Sequence, residues 1–153
     1  MPLWVIYHPD GTFEDDASKE PFAKDITKFY TEKVSLPAFY VSVCFVKLSN
    51  NTLWVGGERI PRDKPFIRVV IEHIAVNLPD DDAAHHRTAE SVNRIMKPYI
   101  ADKGYRWEFH IDETDRRLWR INGLVPPPWG SEEERIWFRE NRASPWQKSE
   151  NAY

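Results

Sequence analysis

Two hydrophobic rhythms run through the chain. Leu3–Tyr7 (LWVIY) is β-branched and aromatic and is closed by the turn sequence HPDG, the pattern of a strand. After the acidic Glu14, Asp15 and Asp16, the stretch KEPFAKDITKFYTEKV sets Phe22, Ile26, Phe29, Tyr30 and Val34 at helical spacing, and SLP ends it. Phe39–Leu48 (FYVSVCFVKL) predicts a strand with Phe39, Val41, Val43 and Phe45 on one face and Tyr40 and Cys44 on the other. SNNTLWVGGERIPRDKP predicts a short hairpin or arm around Leu53–Val55. The order then recurs. Phe66–Ile74 (FIRVVIEHI) predicts a strand, NLPDDD a turn rich in helix-capping residues, and Ala83–Ile100 a helix with Val92, Ile95, Met96, Tyr99 and Ile100 inward. ADKG breaks that helix, and Tyr105–Ile111 (YRWEFHI) is a strand again.

This recurrence is an internal repeat. Ile26, Phe29 and Val34 precede Val92, Ile95 and Ile100 by 66 positions, and Phe39, Val41, Val43 and Phe45 precede Tyr105, Trp107, Phe109 and Ile111 by the same 66. The first strands, WVIY and RVVI, are offset by 64. A parallel strand pair needs a crossover, so the predicted class is α+β: two fused βαβ repeats forming a four-stranded sheet with two helices on one face. The expected boundaries are repeat one 2–48, an arm 49–65, repeat two 66–114 and an end segment 115–125, making one domain over 1–125. Residues 126–153 then form a Pro-rich linker, a short helix and a tail. The prolines at 126–128 suit neither a central strand nor a helix interior. SEEERIWFREN predicts the short helix, with Ser131 as cap and Glu134 completing a capping box, and RASPWQKSENAY an extended end. The opposite sheet face is expected to be apolar, aromatic and bare. Copies of the same chain are its expected cover.

Composition narrows the partners. The 153 residues are 41% hydrophobic with 7 Trp, enough for a substantial core. With 21 basic against 24 acidic side chains and a pI near 6.0, neither a nucleic-acid nor an anionic-membrane surface is expected. No apolar run approaches a membrane span or a signal-peptide core, so a cytoplasmic protein is expected. The single Cys44 has no internal disulfide partner and is expected to be buried as a small hydrophobe. No spacing resembles a zinc site, a phosphate loop or a nucleophile elbow, so no metal and no cofactor are expected.

The chemistry candidates begin at the first dipeptide. Removal of Met1 would turn Pro2 into a secondary amine at the head of a strand. An α-amine ordinarily titrates near 7.7–8.0, and apolar surroundings or nearby cations lower that value. A neutral amine at pH 7 could take a proton from a carbon next to a carbonyl and return it elsewhere. Arg120, in RRLWRINGL, could hold a carboxylate with its fork of donors or stand solvated at the surface. Tyr30 could bind or protonate an enol oxygen, or simply pack on the sheet. His73 and Asn77 fall at the end of a core strand, where open sheets present ligands. A histidine satisfied by backbone is the alternative for His73, and His110 is a weaker candidate.

A chain that starts Met-Pro, with Pro2 leading into two fused βαβ units, resembles the tautomerase superfamily. Its length and the segments NTLWVGGE, FAKDITKFY and WFRENRAS are similar to the cis-3-chloroacrylic acid dehalogenase-like branch, over roughly residues 2–142. The resemblance implies a homotrimer with an active site around Pro2, whose nitrogen works as base or acid in tautomerisation, hydration, dehalogenation or decarboxylation of small carboxylates held by arginines. In that alignment, Tyr30 stands where the branch carries a histidine, and Ile74 and Asn77 where it carries two arginines. Phe109 replaces a tyrosine and Arg120 a water-activating glutamate. The expected function is a proline-dependent tautomerase or isomerase acting on a small 2-oxo acid, with Pro2 as general base. The alternatives are a hydratase, dehalogenase or decarboxylase of the same superfamily, or a non-catalytic structural or binding homologue.

Overall fold

A computed structural model describes residues 1–49 and 51–147. In chain order it contains β1 (Leu3–Pro9), α1 (Asp16–Lys33), β2 (Ser42–Leu48), β3 (Trp54–Val55), β4 (Glu58–Arg59), β5 (Phe66–His73), α2 (Asp82–Met96), β6 (Arg106–Glu113) and α3 (Glu132–Glu140). β1 pairs in parallel with β2 and β5 in parallel with β6, while β1 and β5 meet antiparallel in the middle, giving the order β2-β1-β5-β6. The architecture is therefore the two βαβ units that the repeat predicts, joined back to back. Each long helix starts where an aspartate can cap it. Asp15 accepts the Ser18 N–H at 2.9 Å, and Asp81 accepts the Ala84 N–H at 2.9 Å.

Strand alternation decides where the core lies. Trp4 and Ile6 of β1 and Ile67, Val69 and Ile71 of β5 are fully buried beneath Phe22, Ile26 and Tyr30 of α1 and Val92 and Met96 of α2. Trp137 of α3 joins the same cluster, so the chain beyond Pro126 packs on this core too. The arm is a two-stranded hairpin, β3–β4, turned by Gly56 and Gly57. Both glycines have positive φ (61° and 81°), as a tight two-residue hairpin turn requires. Among the described residues, no helix is long and apolar enough to cross a membrane.

Several expectations change in detail. The second strand begins at Ser42 rather than Phe39, because Pro37 leads Ala38–Tyr40 into a short 3-10 turn. The second helix ends at Met96 rather than Ile100, since Pro98 has no N–H for the Arg94 carbonyl. The first-strand offset is 65, not 64. Trp4 pairs with Val43 and Val69 with Phe109, and a one-residue slip would place buried Trp4 over Arg68, on the opposite face. Cys44 is exposed, because its register opposite Val5 puts it on the open face of edge strand β2. That open face is mixed rather than aromatic. Leu3, Val5 and Tyr7 make one half apolar. The β5–β6 half carries Arg68 paired to Glu108 and donating to His110 Nδ1 at 2.6 Å, while Trp107 and Phe109 have the parity that turns them toward the helices. As far as Gln147 the tail folds back on its own chain, Trp146 donating its indole N–H to the Val125 carbonyl at 2.7 Å. The remainder of the expected tail, 148–153, lies outside the described residues.

Ile26, fully buried on the inward face of α1, measures how tightly this core is filled. At fixed protein concentration, urea unfolding is expected to show a loss of about 0.5–1.5 kcal/mol for Ile26→Val and about 2–5 kcal/mol for Ile26→Ala.

Candidate active site

The topology gathers one set of chain segments at one end of the sheet. Because β1 and β5 are antiparallel, Leu3 lies beside Glu72, so the start of β1 meets the end of β5. The parallel pairings then bring the start of β2 and the end of β6 to the same edge, with Leu3 opposite Ser42 and His73 opposite Glu113. The last turn of α1 and the start of α2 must close over that edge as well. Pro2 therefore sits among Tyr40–Ser42, His73–Ala75, Thr114–Arg116 and the end of α1. Its carbonyl is held by the Ser42 N–H at 2.9 Å.

Pro2 is buried and borders a cavity of about 100 Å3, whose wall includes Phe29, Tyr30, Leu36, His73 and Ala75. A buried hydrogen-bonded chain forms one side. The Trp4 indole N–H donates to the Tyr30 oxygen at 3.0 Å, and that oxygen lies 2.7 Å from His73 Nε2. An indole only donates, so the Tyr30 oxygen accepts there, and the direction of its hydrogen bond with His73 Nε2 follows the imidazole tautomer. Burial and the positive amino end lower the His73 pKa from 6.5 to about 4, and burial pushes the Tyr30 hydroxyl up.

The amino end has a second, charged set of neighbours. Arg116 spans the interior by donating to the carbonyls of Ala75 and Pro127, and its guanidinium lies over the Trp119 ring, 5.2 Å from the centroid. Trp119 packs edge-on against Tyr40 at 4.8 Å. Glu134, in the first turn of α3, is only 2% exposed. Its Oε2 accepts the Gly130 N–H at 2.7 Å, whereas its Oε1 and the fully buried Tyr40 hydroxyl have no hydrogen-bond partner. The chain's amino group has its pKa lowered from 8.0 to about 4, first by burial and then by Arg116, with Glu134 acting the other way. Burial raises the Glu134 carboxyl and, with the Glu134 charge, the Tyr40 hydroxyl.

Comparison with known proteins gives this end of the sheet a lineage. Residues 1–142 match a family described as "Putative oxalocrotonate tautomerase enzyme". The chain belongs to the tautomerase superfamily. It is 38% identical to native RhCC from Rhodococcus jostii RHA1, with a TM-score of 0.87 over 94% of this chain and 99% of that one. It is 36% identical to AU4130/APC7354, "a probable enzyme from the thermophilic fungus Aspergillus fumigatus", with a TM-score of 0.84 over 95% and 98% of the two chains. N1, a member of the cis-3-chloroacrylic acid dehalogenase family, shares the fold at 16% identity, with a TM-score of 0.66 over 91% and 97%. No curated protein matches.

Within this tautomerase scaffold, Pro2, Tyr30 and His73 come together at one cavity. The other candidates do not join them. Phe109 pairs with Val69 in mid-strand, away from the edge where Pro2 lies. Asn77 is exposed, its amide 3.5 Å from the Thr114 carbonyl. Arg120 is exposed too, and donates to the Arg117 and Trp119 carbonyls. His110 lies on the open face between Arg68 and Asp112. Sequence reasoning passed over Arg116, Tyr40 and Glu134. Arg116 follows β6 by three residues, closer to the sheet edge than Arg120, and that spacing could have singled it out. Glu134 was given a capping role. Ser131 does cap α3 by accepting the Glu134 N–H at 3.1 Å, but the Glu134 side chain reaches Gly130 rather than Ser131 and so turns inward.

The unfolded chain binds a proton at His73 below pH 6.5 that the folded protein refuses until about pH 4. The contribution of His73 to stability is thus present above pH 6.5 and lost as pH falls toward 4. NMR of the His73 ring is expected to show a neutral imidazole at pH 5; a midpoint near 6.5 would contradict the buried chain.

Proposed function

We propose that this protein is a proline-dependent tautomerase in which the Pro2 amine, freed by removal of Met1, moves a proton on a small 2-oxo acid. One observation carries the reading: the start of the chain is fixed and buried at a cavity that also meets a neutral histidine and a tyrosine. Here the Met1 amine reports on the surroundings that the Pro2 nitrogen would share once Met1 is gone. Burial and Arg116 disfavour an ammonium in those surroundings. A neutral nitrogen at pH 7 has its lone pair free to act as a base.

In the forward direction the nitrogen takes a proton from C3 of the keto acid. The electrons of the broken C–H bond form the C2=C3 double bond, the C2=O π pair moves onto oxygen, and the C2 oxygen takes up the proton that Pro2 gives back, which yields the enol and restores the neutral amine. Ketonisation runs the same steps backward, with Pro2 returning the proton to carbon. Tyr30 and His73 border the cavity as neutral polar groups able to face the enol oxygen. Of the arginines in RRLWR, Arg116 has the charge that reaches the amino end. Two of its five N–H groups are committed to carbonyls, which leaves donors for a substrate carboxylate. In this reading Arg116 takes the role first given to Arg120. The apolar half of the open sheet face supports a homo-oligomer, and the resemblance favours a trimer.

Intact mass is expected to show Met1 removed. Pro2→Ala keeps an amine but loses the ring that fixes it, and should slow ketonisation of phenylenolpyruvate by about 100-fold, the low end for a positioned acid–base group. Equal rates would eliminate Pro2 as the base. Light scattering should give three times 18.1 kDa; a stable monomer would contradict the trimer.

A further inference from the structure

Glu134 is the buried ionisable group that the mechanism above does not use. It sits in the first turn of α3, where a glutamate at this position normally lies at the surface and helps to cap the helix. Here the cap is already made by Ser131, and one carboxyl oxygen suffices for the Gly130 N–H. The other, Oε1, is enclosed without a partner, and so is the Tyr40 hydroxyl. A buried carboxyl oxygen left unpaired is costly, and such groups concentrate where chemistry needs them.

The charges around the amino end make the arrangement specific. Arg116, in the turn after β6, opposes a positive nitrogen there, while Glu134 on α3 favours one. His73 on β5, Tyr30 on α1 and Tyr40 before β2 also lie at this end and are neutral at pH 7. Asp115, in the turn after β6, is paired with Arg117, and Lys33 of α1 and Arg135 and Arg139 of α3 line a cavity with Glu134 on its outer side. The packing brings Glu134 to this end: Trp137, three residues on in α3, lies edge-on to Tyr40 at 6.3 Å, and Ser42, two residues after Tyr40, holds the Pro2 carbonyl.

We propose that Glu134 is a positioning residue of this site, the buried counter-ion of the ammonium that Pro2 becomes when it takes a proton from the substrate. The proposal rests on Pro2 as the base. In the step described above the proton passes from C3 to the Pro2 nitrogen, and the new N–H bond leaves a positive charge in a water-poor place next to Arg116. Glu134 offsets Arg116 at that moment, and Pro2 then gives the proton up again; Glu134 neither holds the proton nor touches the substrate. Tyr40, beside it, adds a neutral donor to the same enclosure.

The test uses the mature full-length protein labelled with 15N at proline. Glu134→Gln keeps an acceptor for Gly130 but removes the charge. It is expected to lower the titration midpoint of the Pro2 nitrogen by roughly one pH unit, the low end for an opposite charge nearby. The acid limb of kcat/KM should move to lower pH by the same amount, because the base then stays neutral in more acidic solution. Glu134→Asp should keep the wild-type midpoint. An unchanged midpoint in Glu134→Gln overturns the proposal, even if turnover falls. Should Glu134→Gln fail to fold, 13C-labelled glutamate in the wild-type protein decides. The Glu134 carboxyl resonance is expected to show a second inflection at the pH where the nitrogen titrates, and independent single inflections overturn the pairing. Failure of Pro2 as the base shows instead as unchanged turnover in Pro2→Ala, which these titrations do not depend on.

Discussion

The rest of the site depends on one constraint: the chain begins inside its own sheet. β1 is flanked by β2 and β5, so the residues just after the amino end are hydrogen-bonded on both sides. The Ser42 N–H holds the Pro2 carbonyl itself. Most chain ends fray because nothing ties them down. Here the ladder fixes the first peptide while Trp4, two residues on, is sealed in the core. A group at this position gains a defined geometry without a loop or a lid to hold it.

Two unlike environments meet at that point. On one side lies an apolar cavity edged by the Trp4–Tyr30–His73 chain, in which every polar atom is neutral and donates or accepts in sequence. On the other lies a charged enclosure in which Arg116 is pinned by two backbone carbonyls and Glu134 keeps one oxygen unused. The antiparallel junction of the two repeats brings these sets together, since it places the ends of β5 and β6 beside the starts of β1 and β2. In this chain the sheet thus brings four strand ends together around the amino end.

Much of the fold was legible in the sequence because the repeat reports it twice. The 66-residue spacing of Ile26 and Val92, both buried, carried the helices and hence the crossovers. Strand ends were harder. Phe39 and Tyr40 have every propensity for a strand, yet Pro37 and the turn of the chain toward Ser42 put them in a 3-10 turn, which moves Tyr40 from the sheet to the site. Pro2, Tyr30 and His73 could be found because each lies at the end of a periodic element. Arg116, three residues past the end of β6, was within reach of the same reasoning, whereas Glu134 was not, because its role comes from α3 folding back over the strand ends, a contact that no local pattern encodes. Glu134 also looked fully explained by its capping motif, and only the partner it chose, Gly130, reveals that it points inward.

The account stands on the first nitrogen of the mature chain being desolvated and uncharged. Competitive labelling of that nitrogen with an amine-directed reagent, against a free proline-led peptide across pH 5 to 9, reads its state directly. The account predicts reactivity that follows a midpoint well below the ordinary 7.7–8.0 of an α-amine, at a rate reduced by burial. A midpoint and rate matching those of the free peptide would show an ordinary, solvated chain end and contradict the account.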